Sequence, residues 1–108
     1  MVQRYGRQAF VEVLHSEGVT HLFGNPGTTE LPIMQALPEQ PELKFVLGLQ
    51  ESVVLAMADG YARIACRPAV CFAQSVGAAN MAAALQDAYL ARVPILALTG
   101  RKVPAQHH

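Results

Sequence analysis

Residues 68–73 read Pro68-Ala69-Val70-Cys71-Phe72-Ala73, and the last five positions are apolar without exception. A strand with one face in water alternates apolar and polar side chains. A strand covered on both faces is apolar throughout, as in parallel sheets that carry helices on either side. The flanking segments agree with the second case, because helical and strand-like patterns alternate from end to end, the signature of a parallel α/β sheet. Before the run, residues 4–17 place Ala9, Phe10, Val13 and Leu14 on one helical face, and Gly18 tolerates a left-handed C-terminal cap. His21-Leu22-Phe23 is a short strand broken by Gly24-Asn25-Pro26-Gly27, after which Thr28 or Thr29 caps a short helix that stops before Pro38. A strand is expected over 44–49, and a helix over 52–64 with Val53, Ala56, Met57 and Tyr61 at helical spacing. Beyond the run, one helix is expected over 77–91, with Met81, Ala84, Leu85 and Ala88 as core, and a fourth strand over 94–99.

A chain of 108 residues makes one domain. Hydrophobic residues are 52% of it and charged ones 15%, where a typical soluble domain carries about 25% charged residues. So apolar a balance calls for a dense core together with cover from a partner chain or further polypeptide. The formal net charge is zero, the pI is near 6.9 and no Lys/Arg cluster occurs, which leaves nothing to steer nucleic acid or anionic lipid to the surface. No apolar run approaches the roughly 18 residues of a membrane span, and the first ten residues contain no apolar signal core, so a cytoplasmic protein is expected. Cys66 and Cys71 have no His or Cys neighbours to complete a ligand set and read as reduced thiols rather than metal ligands.

In a sheet of this kind the C-terminal ends of the strands open onto one edge, where ligands bind at the switch in strand order. That rule selects the loops at Gly24-Thr28, Gln50-Ser52, Gln74-Gly77 and after Gly100. Asn25-Pro26-Gly27 lets a ligand approach the backbone closely, and Glu51 brings a carboxylate to a helix start on the same edge. Each feature alone has a plainer reading. A carboxylate in the first turn is favoured by the helix dipole, Asn80 can cap or solvate its helix, and the glycine loop lacks the spacing of a phosphate-binding motif. Asp59-Gly60, inside a helix, reads as packing, and His15 and His21 as surface or core-edge residues.

Taken together the motifs say more. Phe23-Gly24-Asn25-Pro26-Gly27-Thr28-Thr29-Glu30-Leu31-Pro32, then Leu49-Gln50-Glu51, Ala58-Asp59-Gly60-Tyr61-Ala62, Gly77-Ala78-Ala79-Asn80 and Leu98-Thr99-Gly100 occur in this order. The chain resembles the pyrimidine-binding domain of thiamine diphosphate enzymes of the benzoylformate decarboxylase and acetolactate synthase type. The resemblance implies four parallel strands in the order 2-1-3-4 with helices on both faces. It implies that the glutamate matching Glu51 hydrogen-bonds N1′ of the cofactor's aminopyrimidine, favouring the 4′-imino form that removes the thiazolium C2 proton. It also implies cofactor contacts at Pro26, Gly27, Gln74 and Asn80, and a substrate neighbour at Thr28. The substrate would be a 2-oxo acid or related carbonyl.

The chain departs from the family pattern at two places. Benzoylformate decarboxylases have a histidine where this chain has Ala73, and acetolactate synthases have Ser-Gly-Pro-Gly where it has Gln74-Ser75-Val76-Gly77. The Gly-Asp-Gly to Asn-Asn motif that holds magnesium against the diphosphate lies in a second domain of the family. On this reading residues 1–108 are a C-terminally truncated pyrimidine-binding domain, magnesium is held by the absent domain, and a homo-oligomer completes the site. The isolated chain is then incomplete as a catalyst. His107 and His108 invite comparison with a paired-histidine motif or a truncation scar. The alternatives are a binding or dimerisation module that kept the fold without the chemistry, and a flavodoxin-like nucleotide-binding domain.

Overall fold

The structure, a computed structural model, describes residues 3–101. Five helices, α1 (Gly6–Ser16), α2 (Leu31–Ala36), α3 (Glu51–Ala65), α4 (Ser75–Asn80) and α5 (Ala82–Leu90), surround four strands, β1 (His21–Asn25), β2 (Lys44–Leu47), β3 (Ala69–Gln74) and β4 (Ile95–Gly100). The strands form one sheet in the order β2-β1-β3-β4, every pair parallel, as the family resemblance implies. The chain leaves β1 toward β2 on one side, then crosses back over β1 through α3 to reach β3. This reversal sends α2 and α3 to opposite faces and makes the boundary between β1 and β3 the switch point.

The all-apolar run is buried throughout and serves both faces by alternation. Val70 and Phe72 join Leu22, Val11, Leu14, Ala36 and Leu37 in the core beneath α1 and α2. Ala69, Cys71 and Ala73 face the other way with Phe23, against Val54, Leu55, Ala58 and Ala62 of α3. Large residues thus fill one face of β3 and small ones the other, which lets α3 lie close over the sheet.

Several local expectations need correction. In α1 the buried residues are Val11 and Leu14, while Val13 is 58% exposed, so the apolar face is turned by one residue from the expected one. In α3 the buried set is Val54, Leu55, Ala58 and Ala62, with Met57 and Tyr61 partly covered and Val53 and Ala56 exposed. Both helices are apolar around much of their circumference, and the position of the sheet decides which stripe is covered. The expected single helix over 77–91 is two, because at Met81 the N–H turns back to Ala78 at 3.1 Å and the buried Met81 side chain anchors the joint. Leu85, expected in the core, is exposed. β2 ends at Leu47, two residues early. After β1, Gly27 occupies the cap position of a 3-10 turn (Thr28–Glu30), and a second such turn (Leu37–Glu39) contains Pro38. Gly18 has φ +85, the left-handed conformation expected of it.

Leu22 is completely buried and Ile64 is 87% exposed, although both are large aliphatic residues. Leu22→Ala is expected to cost about 2–5 kcal/mol in urea unfolding and Ile64→Ala less than about 0.5 kcal/mol. Burial also pushes the Cys71 thiol up to about 11, from an ordinary 9.0, whereas Cys66 is exposed. The folded chain holds the Cys71 proton more tightly than the unfolded one, so this contribution to stability is intact below pH 9.0 and declines as pH rises toward about 11. Unfolding curves across that range should show the decline in the wild type and a shallower one in Cys71→Ala, and a thiol reagent at pH 8 should modify Cys66 while sparing Cys71.

Candidate functional site

The site forms at the C-terminal ends of β1 and β3. Asn25 is the last residue of β1, Gln74 the last of β3, and Glu51 the first of α3. Gln50, not Glu51, caps α3. Its Oε1 accepts the backbone N–H of Ser52 at 2.7 Å and that of Val53 at 3.3 Å, and also the Ser52 hydroxyl. With those donors satisfied, the Glu51 carboxyl is not drawn back onto its own helix. It turns across the rim instead. Its Oε1 accepts from Asn25 Nδ2 at 3.4 Å and its Oε2 from Asn80 Nδ2 at 3.3 Å. Both bonds are long, so the two amides orient the carboxyl without saturating it. The helix dipole favours the negative charge at this end of α3.

Glycines make the room. A Cβ on Gly77 would lie 2.5 Å from Glu51 Oε1 and 2.8 Å from its Cδ, so the carboxyl occupies the space that a side chain on α4 would take. A Cβ on Gly27 would lie 2.8 Å from Cδ of Gln74, which presses the loop after β1 against the end of β3. Gln74 Nε2 donates to Thr28 Oγ1 at 3.4 Å across the same seam. Pro26 lies between Asn25 and Gly27 and fixes the loop backbone.

The residues singled out in the sequence therefore fall into two contacting groups, Glu51 with Asn80 and Gln74 with Gly27 and Thr28, on one rim of the sheet. The reading of Asn80 as a helix cap is replaced by its bond to Glu51. Two participants were not singled out. Asn25, loop chemistry in the sequence, reaches Glu51 with its side chain. Glu30 is 2% exposed and its Oε2 accepts the Gly27 N–H at 2.7 Å. A glutamate three residues after a cap position is half of a capping box, and that spacing was the available signal.

Other candidates lie away from the rim. Asp59, its side chain largely covered, also carries an ion pair. It pairs with Arg63 at 2.5 Å, a bond that raises the guanidinium pKa, and Gly60 has no neighbour near its missing side chain. His15 Nε2 lies 3.7 Å from Glu42, and His21 sits partly buried between Thr20 and the Tyr61 ring. Among the described residues there is no cluster of three or more His, Cys, Asp or Glu side chains able to hold a metal, and no helix long and apolar enough to cross a membrane. His107 and His108 lie outside the described residues.

The family model for the thiamine pyrophosphate enzyme N-terminal TPP binding domain matches residues 4–107. The chain belongs to this family. Its relatives include decarboxylases and acetolactate synthases. Benzoylformate decarboxylase of Pseudomonas aeruginosa is 38% identical over 96 residues, covering 88% of this chain and 18% of that protein. Acetolactate synthase 2, chloroplastic, of Nicotiana tabacum is 42% identical over 99 residues, covering 91% of this chain and 15% of that one. Among solved structures, the thiamine diphosphate-dependent 4-hydroxybenzoylformate decarboxylase of Rhodococcus jostii RHA1 superposes with a TM-score of 0.85 at 32% identity, over 92% of this chain and 19% of its own. Benzoylformate decarboxylase of Polynucleobacter necessarius gives 0.87 at 28% identity, over 95% of this chain and 19% of its own. The chain therefore spans less than a fifth of the length of these TPP-enzyme relatives.

The packing of Gly77 on Glu51 can be tested without a ligand. Gly77→Ala improves helix propensity by up to about 1 kcal/mol, and the flexible carboxyl is what must yield. The variant is expected to keep wild-type stability within about 1 kcal/mol while the side-chain amide NMR signals of Asn25 and Asn80 shift. Unchanged amide signals would mean that Gly77 does not shape the carboxyl's position.

Proposed function

We propose that this chain supplies the pyrimidine-binding half of a thiamine diphosphate site, and that Glu51 is its activating residue. The observation that carries the reading is the placement of the Glu51 carboxyl: at the switch point of the sheet, free of capping duty, held by two amides and fitted into the space left by Gly77. An aminopyrimidine fits this donor set, because a carboxyl oxygen with a lone pair to spare can share a proton with a ring nitrogen.

Thiamine diphosphate, when bound, supplies an acidic thiazolium C–H and a sink for the electrons released in decarboxylation. The chain's own residues bind and orient. Glu51 holds the proton shared with the pyrimidine N1′, which sets the ring's tautomer and so the basicity of its amino nitrogen. Asn80 and Asn25 hold the carboxyl through one oxygen each. Pro26 and Gly27 would offer backbone to the cofactor, Gln74 would contact it from the end of β3, and Thr28 would neighbour the substrate. The buried Ala73 brings no titratable group to the end of β3, so the proton transfers that a histidine would perform there fall to other groups.

The substrate class is a 2-oxo acid or related carbonyl, as for enzymes that decarboxylate such acids or join them. Magnesium and the diphosphate are assigned to polypeptide outside residues 1–108, a second copy of the protein completes the site, and the compartment is the cytoplasm. The exposed apolar side chains of α5 and β4, Leu85, Tyr89, Leu90 and Leu96, support the need for further protein surface.

The test is Glu51→Gln in the intact enzyme. Glutamine fills nearly the same volume and still hydrogen-bonds N1′, but it has no carboxyl proton to share. Fold and cofactor affinity should persist, while hydrogen–deuterium exchange at C2 of the bound cofactor falls by about tenfold for each 1.36 kcal/mol of lost stabilisation. An unchanged exchange rate would remove Glu51 from the chemistry, and a loss confined to affinity would make it an anchor. A module that kept only the fold would show no exchange acceleration with either residue.

A further inference from the structure

Glu30 is the one charged or polar side chain among the described residues that is buried, at 2% exposure. A carboxylate taken out of water is tolerated only where donors replace its hydration, and its Oε2 accepts the Gly27 N–H at 2.7 Å. That distance is in the range of charge-assisted bonds and well below the 3.3–3.4 Å of the amide contacts to Glu51. Its target matters. β1 ends at Asn25 and Pro26 has no N–H, so the Gly27 N–H is the first backbone donor that the chain offers beyond the strand. Gly27 is also the residue pressed against Gln74. The loop is therefore gripped at one residue from two sides, by Glu30 through the backbone and by Gln74 through contact. On either side of that residue stand Asn25, which reaches Glu51, and Thr28, which meets Gln74.

We propose that Glu30 is a positioning residue of the site: it locks the 25–28 loop through the Gly27 amide and so sets where Asn25 holds the Glu51 carboxyl. The proposal rests on the reading of Glu51 given above. A serine, threonine or asparagine at the cap position would accept the amides that follow it and leave the cap's own N–H unserved. The buried Glu30 oxygen serves it at 2.7 Å, and a bond shielded from water resists opening where a solvated cap would fray. The lock acts on geometry, so its loss should lower the rate of cofactor activation more than it lowers cofactor affinity.

The experiment uses three variants of the intact enzyme and two readouts. Glu30→Ala removes the acceptor, Glu30→Asp withdraws it by one methylene while keeping the charge, and Glu30→Gln keeps an oxygen within reach of the Gly27 amide. Residue-resolved amide hydrogen exchange without cofactor reads the lock itself. Gly27 should exchange about tenfold faster or more in the Ala and Asp variants and stay near wild type in Gln, with the β1 and β3 amides unchanged in all three. Hydrogen–deuterium exchange at C2 of saturating thiamine diphosphate reads the consequence. It should fall about tenfold in Ala and Asp and be retained in Gln, with the cofactor dissociation constant moving much less. Should Glu30→Ala not fold, Glu30→Asp carries the comparison.

Unchanged Gly27 exchange in the Ala or Asp variant overturns the lock. Faster Gly27 exchange with unaltered C2 exchange overturns its bearing on the site, and Gln behaving as Ala overturns the role of the acceptor oxygen. If Glu51→Gln exchanges C2 at the wild-type rate, it is the reading of Glu51 that has failed. The Gly27 measurement stands apart from that result.

Discussion

The parallel pairing of Leu22–Asn25 with Val70–Ala73 places two strand ends side by side, and the remaining parts of the site are hung from that pair. β1 delivers Asn25 and the Pro26-Gly27 turn, and β3 delivers Gln74 and the start of α4 with Gly77 and Asn80. Only the reversal of direction between β2 and β3 brings α3 over this junction, so Glu51 arrives at the rim because the chain must cross β1 to continue the sheet. A parallel sheet without that reversal would have no crevice at this point. Pairing, crossover and site are thus one constraint seen at three scales.

At the rim the side chains divide their tasks. Gln50 satisfies the first amides of α3, which frees the adjacent carboxylate for a partner outside the helix. Asn25 and Asn80 each take one oxygen of that carboxylate, and Gly77 gives up a side chain to make space for it. Glycine inside a helix is unfavourable by about 1 kcal/mol relative to alanine, and here the Glu51 carboxyl fills the space that alanine's Cβ would need. The same division appears below the loop, where Glu30 holds a backbone amide so that the side chains on either side can face the crevice.

Parallel direction and the location of the rim were legible in the alternation of elements and the apolar run of β3, and the strand order followed from the family resemblance that the motifs carry. The faces of α1 and α3 were not. Val13 and Val53 are as apolar as Val11 and Val54, and only the docked position of the sheet separates them. The break at Met81 also left no Gly or Pro to mark it. The bonds of Glu51 join residues 26 and 29 positions away, a distance over which local pattern carries no information. Glu30 had a readable spacing, but its burial belongs to tertiary structure, where the turn that carries it packs against α2 and β3. The gap between reading and structure lies in tertiary placement, not in local propensity.

The small residues on one side of β3 have a mechanical consequence. Ala69, Cys71 and Ala73 set the height at which α3 rides above the sheet, and α3 carries Glu51 at its leading end. Van der Waals contact along that interface works as a spacer, with Ala73 nearest the rim and Ala69 farthest from it. Adding a methylene at Ala73 would lift the front of the helix, whereas the same addition at Ala69 would tilt its tail. Side-chain bulk deep in the hydrophobic interior is in this way a ruler for the carboxyl group, and drift in core volume across related chains would be recorded at the rim as displacement.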